Sequence, residues 1–171
     1  MVGVVNAMWG DKGYITAKEY SRFCNGVVPL VRLSKIIYTN DETISAPAEI
    51  ANFGKSEIKN GNANWQIKNS EGKILFSGKL NASDIPFGNG ISIGEIKADL
   101  SSIINPEKLL LEVSVNDYKN SWEIFVYPKQ LTEVKNVYVT QTLDEKALQI
   151  LNNGGNVLLN LKQGSLTKNK G

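Results

Sequence analysis

Two adjacent pairs of carboxylates, Asp41-Glu42 and Asp144-Glu145, are the acid–base groups that first draw notice in this sequence of 171 residues. A glycosidic bond is cleaved between two carboxylates held roughly 5 to 10 Å apart. Asn40-Asp41-Glu42 has the composition of a turn, however, and Asp144-Glu145 falls in the first turn of a helix, where the macrodipole favours negative charge. Acids in such places are ordinarily exposed, so both pairs read as structural. Histidine is absent. That removes the Ser/His/Asp triad, the Cys/His dyad and every zinc site built on imidazole. Cys24, the sole cysteine, follows Phe23 on an amphipathic stretch and reads as a small buried hydrophobe, with no histidine to raise its thiolate fraction. No catalytic residue and no metal ligand is assigned.

Glycine-rich segments give no cofactor site either. Gly88-Asn89-Gly90 precedes a strand and lacks the strand-glycine-helix context and the following Lys-Ser/Thr of a phosphate cradle. Gly154-Gly155 ends a helix instead of opening one. The aromatic residues are the one feature suited to a ligand, because an exposed ring can stack on a sugar. The candidates for carbohydrate contact are Trp9, Trp65 and Trp122. Trp65 in mid-strand and Trp122 at the start of another are expected to point into a core, which leaves Trp9, in a turn, the freest.

Nineteen basic and seventeen acidic residues give a net charge of +2, scattered without a basic stripe, so nucleic acid is not an expected partner. No apolar run approaches the roughly 20 residues of a membrane helix, and the first residues lack the basic flank and apolar stretch of a leader. The segment reads as soluble and without an address. With 42% hydrophobic and 21% charged residues the chain should fold.

The positioning elements fall into three stretches. Residues 1–33 read as a lead-in, with turn chemistry at Trp9-Gly10-Asp11-Lys12-Gly13, a capping box from Thr16 to Glu19, a short helix through Tyr20 and Phe23 to a stop at Gly26, and an apolar run broken by Pro29. Residues 34–129 alternate in the manner of a mainly β domain: about seven short strands, rich in β-branched and aromatic residues and separated by turns, predict an immunoglobulin-like β-sandwich. Asn69-Ser70-Glu71-Gly72 and Asn116-Asp117-Tyr118-Lys119-Asn120 read as hairpin connections. Leu109, Leu111, Val113 and Val115 mark the inward face of one strand, and Trp122, Ile124 and Val126 that of the next. Residues 130–171 read as the start of a truncated α/β unit: a β run from Val134 to Thr140, a capping box from Thr142 to Glu145, a helix burying Ala147, Leu148, Ile150 and Leu151, and a strand from Asn156 to Leu161. A lone βαβ cannot cover both faces of its sheet, so docking on the sandwich or a weak homodimer is expected.

The strings Trp9–Thr16, Glu19–Cys24, Val28–Leu33, Tyr38–Glu42, Asn120–Pro128 and Leu143–Leu148 together resemble the C-terminal region of bacterial glycoside hydrolases of family 2, the β-galactosidase-like, sugar-binding-domain proteins. The resemblance implies a non-catalytic accessory module whose partners are the other domains of a parent enzyme, including a catalytic barrel with two glutamates. The family's Asn-Glu acid/base motif has no counterpart here. It also implies a parent exported to the periplasm or cell surface, and a flavodoxin-like or amidotransferase-like character for the last unit. The alternatives are a carbohydrate-binding module using exposed aromatics and a cell-surface protein-interaction domain.

Overall fold

A computed structural model describes residues 3–130 and 135–165. The chain divides into two compact units, Met1–Lys129 and Gln130–Gly171. In the first, a helical turn α1 (Ala17–Tyr20) precedes ten strands: β1 (Val27–Val31), β2 (Ile37–Thr39), β3 (Thr43–Asn52), β4 (Ile58–Lys59), β5 (Ala63–Lys68), β6 (Ile74–Leu80), β7 (Asp84–Ile85), β8 (Gly88–Asp99), β9 (Glu107–Val115) and β10 (Tyr118–Tyr127). The second holds β11 (Val137–Thr140), α2 (Glu145–Asn152) and β12 (Asn156–Leu159). The protein is mainly β, as its alternating pattern predicts.

Eight strands of the first unit make the two sheets of the sandwich, ordered β1-β3-β8 and β2-β10-β9-β5-β6, while β4 and β7 pair by themselves. Period-two alternation fills the space between the sheets. From β3 come Ile44, Ala46, Ala48 and Ile50, and from β9 come Leu109, Leu111, Val113 and Val115, all of them buried. Each fully buried Ile or Leu contributes roughly 1.5–3 kcal/mol of transfer free energy. The pairing of β3 with β8 shifts register between Ala48 and Glu49, opposite Gly94 and Ser92. Gly94, at φ +126°, takes a conformation that side chains resist, and the extra residue lets both Ile93 and Ile96 face inward at a spacing of three. Pro47 stands in the central strand beside this bulge, an interruption that tolerates a residue without an N–H.

The lead-in differs from its sequence pattern. Thr16 and Glu19 do form a capping box, but the helix ends at Tyr20 instead of running on through Phe23. No apolar helix face therefore exists to bury Cys24, which is exposed, contrary to expectation. The proline-broken run is a strand: Val27–Val31 pairs antiparallel with Asn52–Ala48. It lies at the sheet's edge, where Pro29 deprives no neighbour of a ladder bond.

In the second unit β11 and β12 pair in parallel, joined by α2, the expected strand, helix and strand. Val134, where the sequence's β run begins, and the tail from Leu166 lie outside the described residues. The helix is capped by Asp144, which accepts from Ala147 N at 2.8 Å, and not by Thr142. Of its apolar residues only Ala147 is fully buried, and Leu148 and Leu151 are nearly half exposed. The sheet is bare as well, with Val139 and Leu158 both more than half exposed.

Candidate functional site

The acidic turn is tied into the sandwich. Glu42 accepts from Thr39 N at 2.8 Å and pairs with Lys35, while Asp41 accepts from Thr39 Oγ1 at 2.6 Å and pairs with Lys129. Asn40, just before them, donates to the Ile103 carbonyl at 2.9 Å and accepts from Lys129 N at 3.0 Å. The Lys129 hydrogen bond holds the Asp41 carboxyl below its ordinary range, and the Lys35 bond does the same for Glu42. Both are carboxylates near neutral pH, committed to closing the turn that starts β3 onto the end of β10. Asp144 is the cap of α2, and its second oxygen accepts from Tyr138 Oη at 3.3 Å.

The three tryptophans belong to different elements and different environments. Trp9 is 86% exposed, beside an equally bare Met8, in a loop held by Asn6 Oδ1, which accepts from Met8 N and Gly10 N at 2.9 Å each. Its φ of +61° is a left-handed conformation that costs a bulky residue free energy. Trp65 is only 7% exposed, its indole laid over Gly78 of the neighbouring strand. Trp122 faces inward from β10 and packs half-buried against the core.

A groove that the sequence did not announce opens where the lead-in meets the β9–β10 hairpin. It consists of two adjoining depressions sharing Asn25, Val27 and Tyr118, the larger of about 580 Å³. One side carries Lys18, Arg22 and Lys119 and the other Phe53 and Lys55. Its walls are held by the fully buried side chain of Asn52, whose Nδ2 donates to the carbonyls of Ser56 (3.3 Å), Ile85 (3.2 Å) and Pro86 (3.3 Å) and whose Oδ1 accepts from Gly54 N (3.2 Å). Gly54 packs closely on this wall, where a Cβ would lie 2.9 Å from Val27 Cγ2 and would have to displace it. Arg22 Nη1 donates to Ser121 Oγ of β10 at 3.2 Å. The arrangement presents cations, amide and hydroxyl groups and two aromatic rings to one open space, a set suited to binding a polar ligand. Sequence reasoning missed it because it assembles residues from the lead-in, the β3–β4 loop and β10; the lead-in helix and the turn at Asn116–Asn120 are visible in the sequence only as separate pieces.

A family model described as "Domain of unknown function (DUF8488)" matches residues 42–128, which are about half of the chain. No curated protein matches. Similar solved structures include the alkylpurine DNA glycosylase AlkC of Pseudomonas fluorescens, 16% identical over 60% of this chain and 30% of that one, with a TM-score of 0.47. A β-glucuronidase of Parabacteroides merdae is 12% identical over 68% of this chain and 17% of its own, with a TM-score of 0.42. A β-glucuronidase from glycoside hydrolase family 2 is 14% identical over 60% of this chain and 11% of its own, with a TM-score of 0.39. The chain thus spans less than a third of the length of each.

Proposed function

We infer that this chain, which belongs to the family described as Domain of unknown function (DUF8488), is a non-catalytic accessory module of a larger carbohydrate-acting protein and works by binding. The observation that carries the reading is the open groove beside Tyr118, with its mixed lining of cations, amides and aromatic rings. The occupation of Asp41 and Glu42 in a structural turn, and a sequence without histidine, support it. The order of sequence strings that resembles family 2 glycoside hydrolases supplies the carbohydrate class. On this reading the parent cleaves O-glycosyl bonds with a separate barrel, is exported to the periplasm or cell surface, and holds the module through its other domains. Exposed Val139 and Leu158 favour a weak homodimer at high concentration, measurable by sedimentation.

The test is release of nitrophenol from a panel of nitrophenyl glycosides by the purified chain. No turnover is expected with any of them. Turnover abolished by changing a single Asp or Glu would refute the reading.

A second reading, interaction with a protein partner, is favoured by the Met8–Trp9 tip, two bare apolar side chains on a loop whose backbone is held in a strained conformation. Removing the tip by Met8→Ser with Trp9→Ser would then abolish partner capture while leaving saccharide binding unchanged.

A further inference from the structure

We propose that the groove at Tyr118 binds an acidic saccharide, with Lys18, Arg22 and Lys119 holding its carboxylate or sulfate ester and the exposed Phe53 ring covering a sugar face. This rests on the carbohydrate reading above and adds the charge class of the ligand.

The charge distribution is the first argument. Eight ion pairs occur among the described residues, and none of them uses Lys18, Arg22, Lys55 or Lys119. Asp117 is the one carboxylate lining the groove. In a chain whose net charge is only +2, three cations lining the smaller depression, with Lys55 in the adjoining one, concentrate a positive potential there. Such a site attracts anions and strengthens their hydrogen bonds.

Arg22 is positioned for this work. Its bond to Ser121 steadies one end of the guanidinium and leaves most of its five N–H groups for another acceptor, in the planar fork that matches a carboxylate or sulfate. Lys119 stands two residues before Ser121 on β10 and lines the same depression as Arg22.

The rest of the lining argues for a sugar as the carrier of that anion. Asp117, Asn25 and Ser56 offer acceptors and donors for hydroxyl groups, which a bare inorganic anion would not use. Phe53, 66% exposed, provides an apolar face of the kind that stacks on pyranose C–H surfaces, while Tyr118, packed partly buried against the core, lines both depressions. The larger depression, at about 580 Å³, lies within the roughly 300–1,000 Å³ usual for small-ligand sites. Because Asn52 fixes the 53–56 wall, little of the binding free energy is spent on ordering it.

The experiment is titration calorimetry of the full chain with trigalacturonate, with a heparin-derived hexasaccharide and with neutral maltohexaose. The first two arms separate a carboxylate from a sulfate ester. At least one acidic probe is expected to bind, at least about tenfold more tightly than the neutral one, and several-fold more weakly when salt is raised from about 0.05 to 0.3 M. Arg22→Gln with Lys119→Gln should weaken it at least about tenfold, whereas Lys73→Gln, on the β5–β6 turn, should leave it unchanged. Thermal unfolding checks that each variant is folded, and Tyr118→Phe, which keeps the ring, should retain binding. Equal affinity for neutral and acidic probes overturns the acidic-ligand proposal and leaves the carbohydrate reading standing. Heat from none of the saccharides overturns both.

Discussion

Asn120 and Pro29, 91 positions apart, meet inside the sandwich, where Asn120 Nδ2 donates to the Pro29 carbonyl at 3.0 Å. Asn120 is buried on β10 and Pro29 on β1, so one side-chain bond ties the two sheets together across the core. Asn120→Ala would strand a buried carbonyl and is expected to lower stability by about 1–3 kcal/mol. Urea unfolding checks this, with a lower midpoint and an unchanged slope.

Asn52→Ala should act more locally. It removes the two N–H groups shared among the carbonyls of Ser56, Ile85 and Pro86 and the acceptor of Gly54 N, all around one fully buried side chain. A loss of about 1–3 kcal/mol is expected, and hydrogen exchange at residues 53–58 should rise well before that of β9. Uniform exchange across both regions would mean that Asn52 supports the whole sandwich instead of the groove wall.

Gly78 is a space requirement. A Cβ at that position would lie 2.5 Å from Trp65 Nε1 and 2.8 Å from Cε2. Gly78→Ala must displace the indole from its bed and is expected to cost about 1–3 kcal/mol. Tryptophan emission should shift to the red as the ring gains solvent.

The acidic turn predicts a pH dependence. The carboxyls of Asp41 and Glu42 are both lowered, first by Lys129 and Lys35 respectively and then by Thr39. A lowered folded-state value means that the stabilisation is present above the unfolded values of about 3.9 and 4.3. It is lost as pH falls through the folded ones. Urea midpoints should therefore fall as the pH is taken from about 5 to about 2, and Asp41→Asn with Glu42→Gln should flatten that fall. An unaltered pH profile in the double variant would show that other carboxylates set it.

Much of the sandwich was legible because alternation survives burial on one face. The inward row from Leu109 to Val115 and the hairpin to Trp122, Ile124 and Val126 stand as the pattern predicts. Other features were hidden for physical reasons. Pro29 reads as a breaker, yet an edge strand accepts it, so β1 looks in the sequence like part of the lead-in. Strand β2 falls where a strand is expected from Lys35 to Tyr38, but at three residues it is too short for its parallel pairing with β10 to be read from a period. The helix starting at Glu145 carries an aspartate cap, and the Thr142 to Glu145 spacing imitates a capping box without being one. The groove was least legible of all. Its cations are scattered along the sequence, and Asn52 and Asn120, the buried amides that hold its neighbourhood, look in isolation like ordinary turn-forming residues.

Saturation-transfer proton NMR of an acidic oligosaccharide mixed with the intact chain reports binding and turnover in one sample. A binding module without catalysis requires transfer from protein to sugar protons, with anomeric signals whose integrals stay constant over a day's incubation. New anomeric signals that grow with protein concentration and vanish on substituting one carboxylate would contradict it, as would a complete absence of transfer.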